Sequence, residues 1–67
     1  MTAIGFREAL DRHHMSQMQF ARWIKVDGRT VRRWAAGEIE LPGAVVCLLA
    51  LLDEREEMRR ILERRAA

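Results

Sequence analysis

Apolar side chains recur along this chain at three- and four-residue spacing, and no alternating run of the kind that builds a strand interrupts them. Phe6, Ala9, Leu10 and His13 fall at i, i+3, i+4 and i+7, which predicts a helix over residues 3–13 with one inward face. Ser16 is a favourable N-cap, and Gln19 stands three residues on, in the capping-box position. Met15 before the cap and Phe20 at the fourth helical position have the spacing of a hydrophobic staple. A second helix is therefore expected to start behind Ser16, to turn Phe20, Ala21 and Ile24 inward, and to end near Trp23 and Ile24. Lys25, Val26 and Asp27 read as a short turn. Asp27 suits the N-cap of a third helix from Gly28 to Ala36, and Gly37 suits its C-terminal end. Val31 and Trp34 share the inner face of that helix. Arg29, Arg32 and Arg33, at i, i+3 and i+4, share the outer one.

The stretch 38–41 reads as a loop, and Pro42 and Gly43 open a fourth helix. From Val45 to Leu52 this helix is apolar almost all round, so it is expected to be buried, with Cys47 a small core residue. Asp53 and Glu56 repeat the capping-box spacing, which predicts either a kink or a fifth helix over 54–65. Met58, Ile61 and Leu62 form a narrow apolar stripe on that otherwise charged rod. Met15 and Met18 read as core filler and Trp34 as core. Trp23 is open between packing on the terminal helix and lying in a subunit interface. An exposed apolar stripe needs a cover, so a dimer interface is expected at Trp23, Leu51, Met58, Ile61 and Leu62. The expected architecture is all-α: one compact five-helix domain over residues 1–67, with the paired second and third helices at 16–37 and dimerisation helices at 43–65.

Composition narrows the function. A chain of 67 residues with 49% hydrophobic content is globular but small, so a partner or a second copy would help a marginal core. Cys47 is the only cysteine, which excludes an internal disulfide. The longest apolar run, Ala44 to Leu52, is far short of the ~20 residues of a membrane span. The opening residues carry no signal-peptide pattern, so a cytoplasmic protein is expected. The formal net charge is only +2, but its placement is uneven. Residues 22–33 hold Arg22, Lys25, Arg29, Arg32 and Arg33 against Asp27 alone, an excess of +4. A basic excess concentrated in one short window points to a polyanion.

Catalysis and metal binding lack parts. His13 and His14 are adjacent and point apart on a helix, and no second cysteine completes a metal set. Ser16 lies near both histidines in sequence, yet nothing supplies an oriented base or an oxyanion hole. No enzyme activity, cofactor or small-molecule ligand is expected.

Two short helices on a three-residue turn, the second basic on its outer face, form the plan of a helix that enters the major groove, about 12 Å wide. Three arginines alone would favour a merely solvated face; the flanking pattern turns the reading to DNA. Residues 6–52 resemble the Cro/phage-repressor (XRE-type) helix-turn-helix family. The stretch Phe6-Arg-Glu-Ala-Leu-Asp-Arg is similar to its first helix, and Met15-Ser16-Gln17-Met-Gln-Phe20-Ala21-Arg-Trp-Ile24 to its second. Val26 to Gly37, with Trp34 three residues before Gly37, is similar to its turn and recognition helix. Departures are Lys25 and His14, where the family commonly has Gly, and Trp23, where it usually has a solvated residue.

The resemblance implies a lambda-repressor-like fold and a homodimeric repressor on an inverted-repeat operator in double-stranded DNA, most simply an autorepressor. Phage and mobile-element repressors and the short regulators encoded beside anti-CRISPR genes are of this kind. It implies base contacts from Arg29, Arg33 and Arg32, with Asp27 and Gly28 close to the duplex. It implies phosphate contacts from Gln17, Ser16, Thr30 and Gly37. Glu38 and Glu40 are acidic where many members are basic. Three other readings stand beside this one. An antitoxin would use the same DNA module. A winged excisionase-like reader is disfavoured by the lack of strand signals after Gly37. A protein-interaction adaptor would have kept the fold and lost DNA binding.

Overall fold

The computed structural model describes residues 1–66, and the chain is all-α. Four helices follow one another: α1 (Ala3–Arg12), α2 (Gln17–Ile24), α3 (Gly28–Ala36) and α4 (Gly43–Ala66). The described residues contain no strand.

The first three helices start and stop where local chemistry dictates. The Thr2 hydroxyl accepts from Gly5 N at 3.0 Å and opens α1. At α2 the Ser16 hydroxyl accepts from Gln19 N at 3.1 Å, and the Gln19 side chain accepts from Ser16 N at 2.8 Å. That reciprocal pair satisfies two orphan donors at once. Asp27 Oδ1 accepts from Arg29 N at 2.9 Å and opens α3.

All three of these helices end on a residue in the left-handed region: His14 at φ 55, Lys25 at φ 62 and Gly37 at φ 77. The turn lets the following amide reach back. Met15 N donates to Leu10 O at 2.9 Å, Val26 N to Ala21 O at 3.0 Å, and Glu38 N to Arg33 O at 2.9 Å. Carbonyls left over at the helix ends thereby gain donors. Only one of the three positions is glycine, the residue without a Cβ penalty there.

The core is assembled where these helices meet. Phe6 of α1, Phe20 of α2 and Trp34 of α3 are buried and touch edge-to-face, with ring centroids 5.6 Å apart for Phe6 and Phe20 and 6.1 Å for Phe6 and Trp34. Such T-shaped pairs set the positive ring edge on the negative face. Ala9, Ala21 and Ala35 are buried beside them, leaving room for the backbones to approach. Val31, Leu10, Val45 and Leu49 complete the cluster, and Met15, Ile24, Val26 and Leu48 pack at its edge.

The C-terminal half departs from the sequence expectation. Among the described residues there is no fifth helix: α4 runs unbroken for 24 residues. Asp53 and Glu56 have the spacing of a capping box, but the Asp53 carboxylate is engaged elsewhere. It receives Arg12 Nη2 at 3.1 Å and lies 2.8 Å from His13 Nε2, fastening α4 to the end of α1. Nor is α4 buried all round. Only Val45 and Leu49 are buried and Leu48 and Leu52 pack at the core's edge, while Cys47 is exposed and Leu51 is 61% exposed. Three short helices can cover only one side of a fourth. The molecule is accordingly long and thin, 44 × 20 × 18 Å. No helix of the described residues is long and apolar enough to cross a membrane.

Candidate nucleic-acid interface

The amphipathic split of α3 is complete. Val31, Trp34 and Ala35 are buried, whereas Arg29, Arg32 and Arg33 are exposed. Burial of Trp34 fixes the rotation of the helix about its axis, so the arginines cannot turn inward without opening the core. Two contacts fix its ends. Asp27 caps the N-terminus, and Arg7 of α1 donates to the carbonyl of Ala35 at the C-terminus. A cation at that end also complements the helix dipole.

The three arginines differ in what they touch. The Arg33 Nε lies 3.3 Å from Glu38 Oε2. This pair spans the same two residues that the left-handed turn at Gly37 joins through Glu38 N and Arg33 O. Glu38 thus occupies one edge of the guanidinium, and Nη1 and Nη2 have no acceptor among the described residues. Arg29 and Arg32 have no side-chain hydrogen bond or ion pair among the described residues. A guanidinium with two unoccupied N–H groups is shaped for the paired O6 and N7 acceptors of guanine.

The other expected site residues surround this face. Asp27 is exposed at the helix start, and Thr30 is half-buried. Gly28 is half-buried, and a Cβ there would meet Met18 Sδ at 2.8 Å. One visible reason for glycine is therefore the crossing of α2 over the start of α3. Met18 itself is 47% exposed, not core filler, because it lies across that outer edge. Gln17 is the half-buried first residue of α2, and the Ser16 hydroxyl is occupied by capping yet exposed. Gly37 is exposed in its left-handed turn.

Arg7 was not among the residues that sequence singled out. It lines the same shallow cleft as Leu10, Asp11, Met15, Ser16 and Gln17. Its reach to α3 spans 28 positions, and no local pattern marks such a contact.

The residues expected at a dimer interface fall in two places. Trp23 is 50% exposed and rests against Phe20, with ring centroids 6.1 Å apart. On α4, Leu51, Met58 and Leu62 are each more than half exposed, while Ile61 is half-buried.

The sharpest electrostatic perturbation lies away from the basic face. The His13 imidazole holds the Asp53 carboxyl below its ordinary value of 3.8, with Arg12 acting in the same direction and desolvation against it. This cluster joins two helices and is structural. No family model, curated protein or solved structure matches the chain.

Proposed function

We propose that this chain is a sequence-specific double-stranded DNA-binding regulator with a lambda-repressor-like fold, acting as a homodimer on an inverted repeat. One observation carries the reading. Arg29, Arg32 and Arg33 stand exposed on one face of a helix whose opposite face is locked into the core. The charge agrees, since the +4 window of residues 22–33 coincides with that face and its approach.

In this reading α3 enters the major groove, with Arg33 and Arg29 on base edges and Arg32 on a base or phosphate. Gln17 and Ser16 contact phosphate at the start of α2, where the helix dipole favours an anion. Thr30 and Gly37 approach the backbone on either side. Glu38, paired with Arg33 Nε, disfavours phosphate nearby. Bound across a promoter, such a dimer blocks polymerase, most simply at its own gene.

The test is a gel-shift with DNA from immediately upstream of the gene, at near-physiological salt with excess competitor. A specific shift is expected, steeply weakened by added salt. Arg33→Ala and Arg29→Ala should each lose about 1–3 kcal/mol on the preferred site. Unchanged binding by both variants would remove α3 from the interface. Absence of binding to any DNA would leave the adaptor reading in its place.

A further inference from the structure

The exposed side of α4 has an internal pattern that selects its own partner. Leu48, Leu51, Arg55, Met58, Leu62 and Arg65 follow one another at alternating three- and four-residue steps, the spacing of a seam between paired helices. Leu51, Met58 and Leu62 are 61%, 57% and 59% exposed, and Leu48 sits at the edge of the chain's own core. A shallow apolar groove runs along the far end, lined by Arg55, Met58, Arg59, Leu62 and Glu63.

The charges on this rod are segregated. Asp53, Glu54, Glu56 and Glu57 crowd its first part, and Arg59, Arg60, Arg64 and Arg65 its second. A copy lying parallel would set acid beside acid and base beside base. It would also oppose Arg55 to Arg55 and Arg65 to Arg65 within the seam, where like charges are partly desolvated. The parallel alignment gains only a surface pair between Glu54 and Arg59, a contribution that is small when exposed. Arg59 moreover already has Glu63 at 3.2 Å in its own chain. A reversed copy removes the conflict within the seam and most of the other. It sets Asp53 and Glu54 of each rod level with Arg60 and Arg59 of the partner subunit, leaves only Glu56 and Glu57 level with acids, on the outer side of the rods, and sets each seam arginine across from Leu or Met, along which its aliphatic stem can lie.

The geometry points to α4 as a self-complementary surface whose occupant is a second copy of this chain, running antiparallel. Leu51 faces Leu62 of the partner subunit, and Arg55 faces Met58 of the partner subunit. The two-fold axis passes between Glu56 and Glu57. Because the first part of α4 is already anchored by Val45, Leu49 and the Asp53 contacts, only its far turns need ordering on association. This inference specifies the dimer of the proposed function and does not depend on the DNA part of that reading.

Disulfide trapping without DNA tests it. Cys47 is exposed and is first replaced, Cys47→Ser. Leu51→Cys and Leu62→Cys are then made singly in that background, both at exposed positions. In the antiparallel register the two copies of residue 51 lie ~16 Å apart along the rods, beyond the ~7 Å Cα separation that a disulfide spans. Each single variant alone should therefore stay uncrosslinked under mild oxidation, and the equimolar mixture should give a covalent dimer. Crosslinking of Leu51→Cys alone would establish the parallel arrangement and overturn the proposal. A dimer by sedimentation that fails to crosslink in the mixture would overturn the register, and a monomer throughout would overturn the self-association. The gel-shift stands or falls separately from all of these.

Discussion

Lys25 and His14 carry a conformational cost that the third left-handed position, Gly37, avoids. A residue with a Cβ in this region is disfavoured by roughly 1–2 kcal/mol, partly offset by the larger chain entropy that glycine loses on folding. Lys25→Gly and His14→Gly should each raise stability, by up to about 1 kcal/mol. Urea or thermal denaturation measures this, and because the two turns lie at different helix ends the double variant should be close to additive. A loss of stability in both variants would mean that these side chains supply contacts worth more than the strain. Gly37 gives the opposite expectation, since any side chain there meets the same backbone penalty.

At the scale of elements, α1 to α3 were legible because their boundaries are written within a few residues. Ser16 with Gln19, Asp27 before Gly28, and Gly37 after Ala36 act over one turn, and each does in the fold what its spacing implies. The split of α3 into buried Val31 and Trp34 against exposed arginines was legible for the same reason. Asp53 marks where this logic fails. Its spacing to Glu56 is that of a cap, but its partners are Arg12 and His13, about 40 positions away, and only the assembled fold brings them together. Cys47 was misread for a related reason. An unbroken apolar run gives no direction, and the number of covering helices decides which side is wet.

The Asp53 tether also has a pH signature. Its carboxyl titrates below its unfolded value, so the charged form is favoured by folding. The contribution is fully present above the ordinary carboxylate range and disappears as pH falls through the lowered value. Asp53→Asn should therefore reduce stability at neutral pH and narrow its gap to the parent protein below about pH 4. Denaturant midpoints at the two pH values check this. A gap that stays constant would assign the loss to packing alone.

At the scale of the whole molecule, a small head carries the basic face and a long rod extends from it. Paired as proposed, two heads centred on Val45 and Leu49 would stand ~28 Å apart along the rods, at 1.5 Å per residue. That is close to the ~34 Å between successive major-groove faces of a duplex. The rod's neutral, segregated charge suits a copy of itself, and the excess of +4 over residues 22–33 of the head suits a polyanion, so the two ends of the molecule present different chemistry.

The unbroken course of α4 has one last consequence, which belongs to the kinetics of its backbone amides. Around Val45 to Asp53 the helix is clamped by the core and by Arg12 and His13, so those N–H groups should exchange with deuterium only when the whole domain opens. Past Glu57 the same helix has only its own turns and the ion pairs of Arg59 with Glu63 and of Arg60 and Arg64 with Glu57. In dilute protein its protection should fall off steeply there, through fraying that leaves the head intact. Raising the concentration should restore protection to the far segment alone, giving one continuous helix two exchange regimes divided between Asp53 and Glu57.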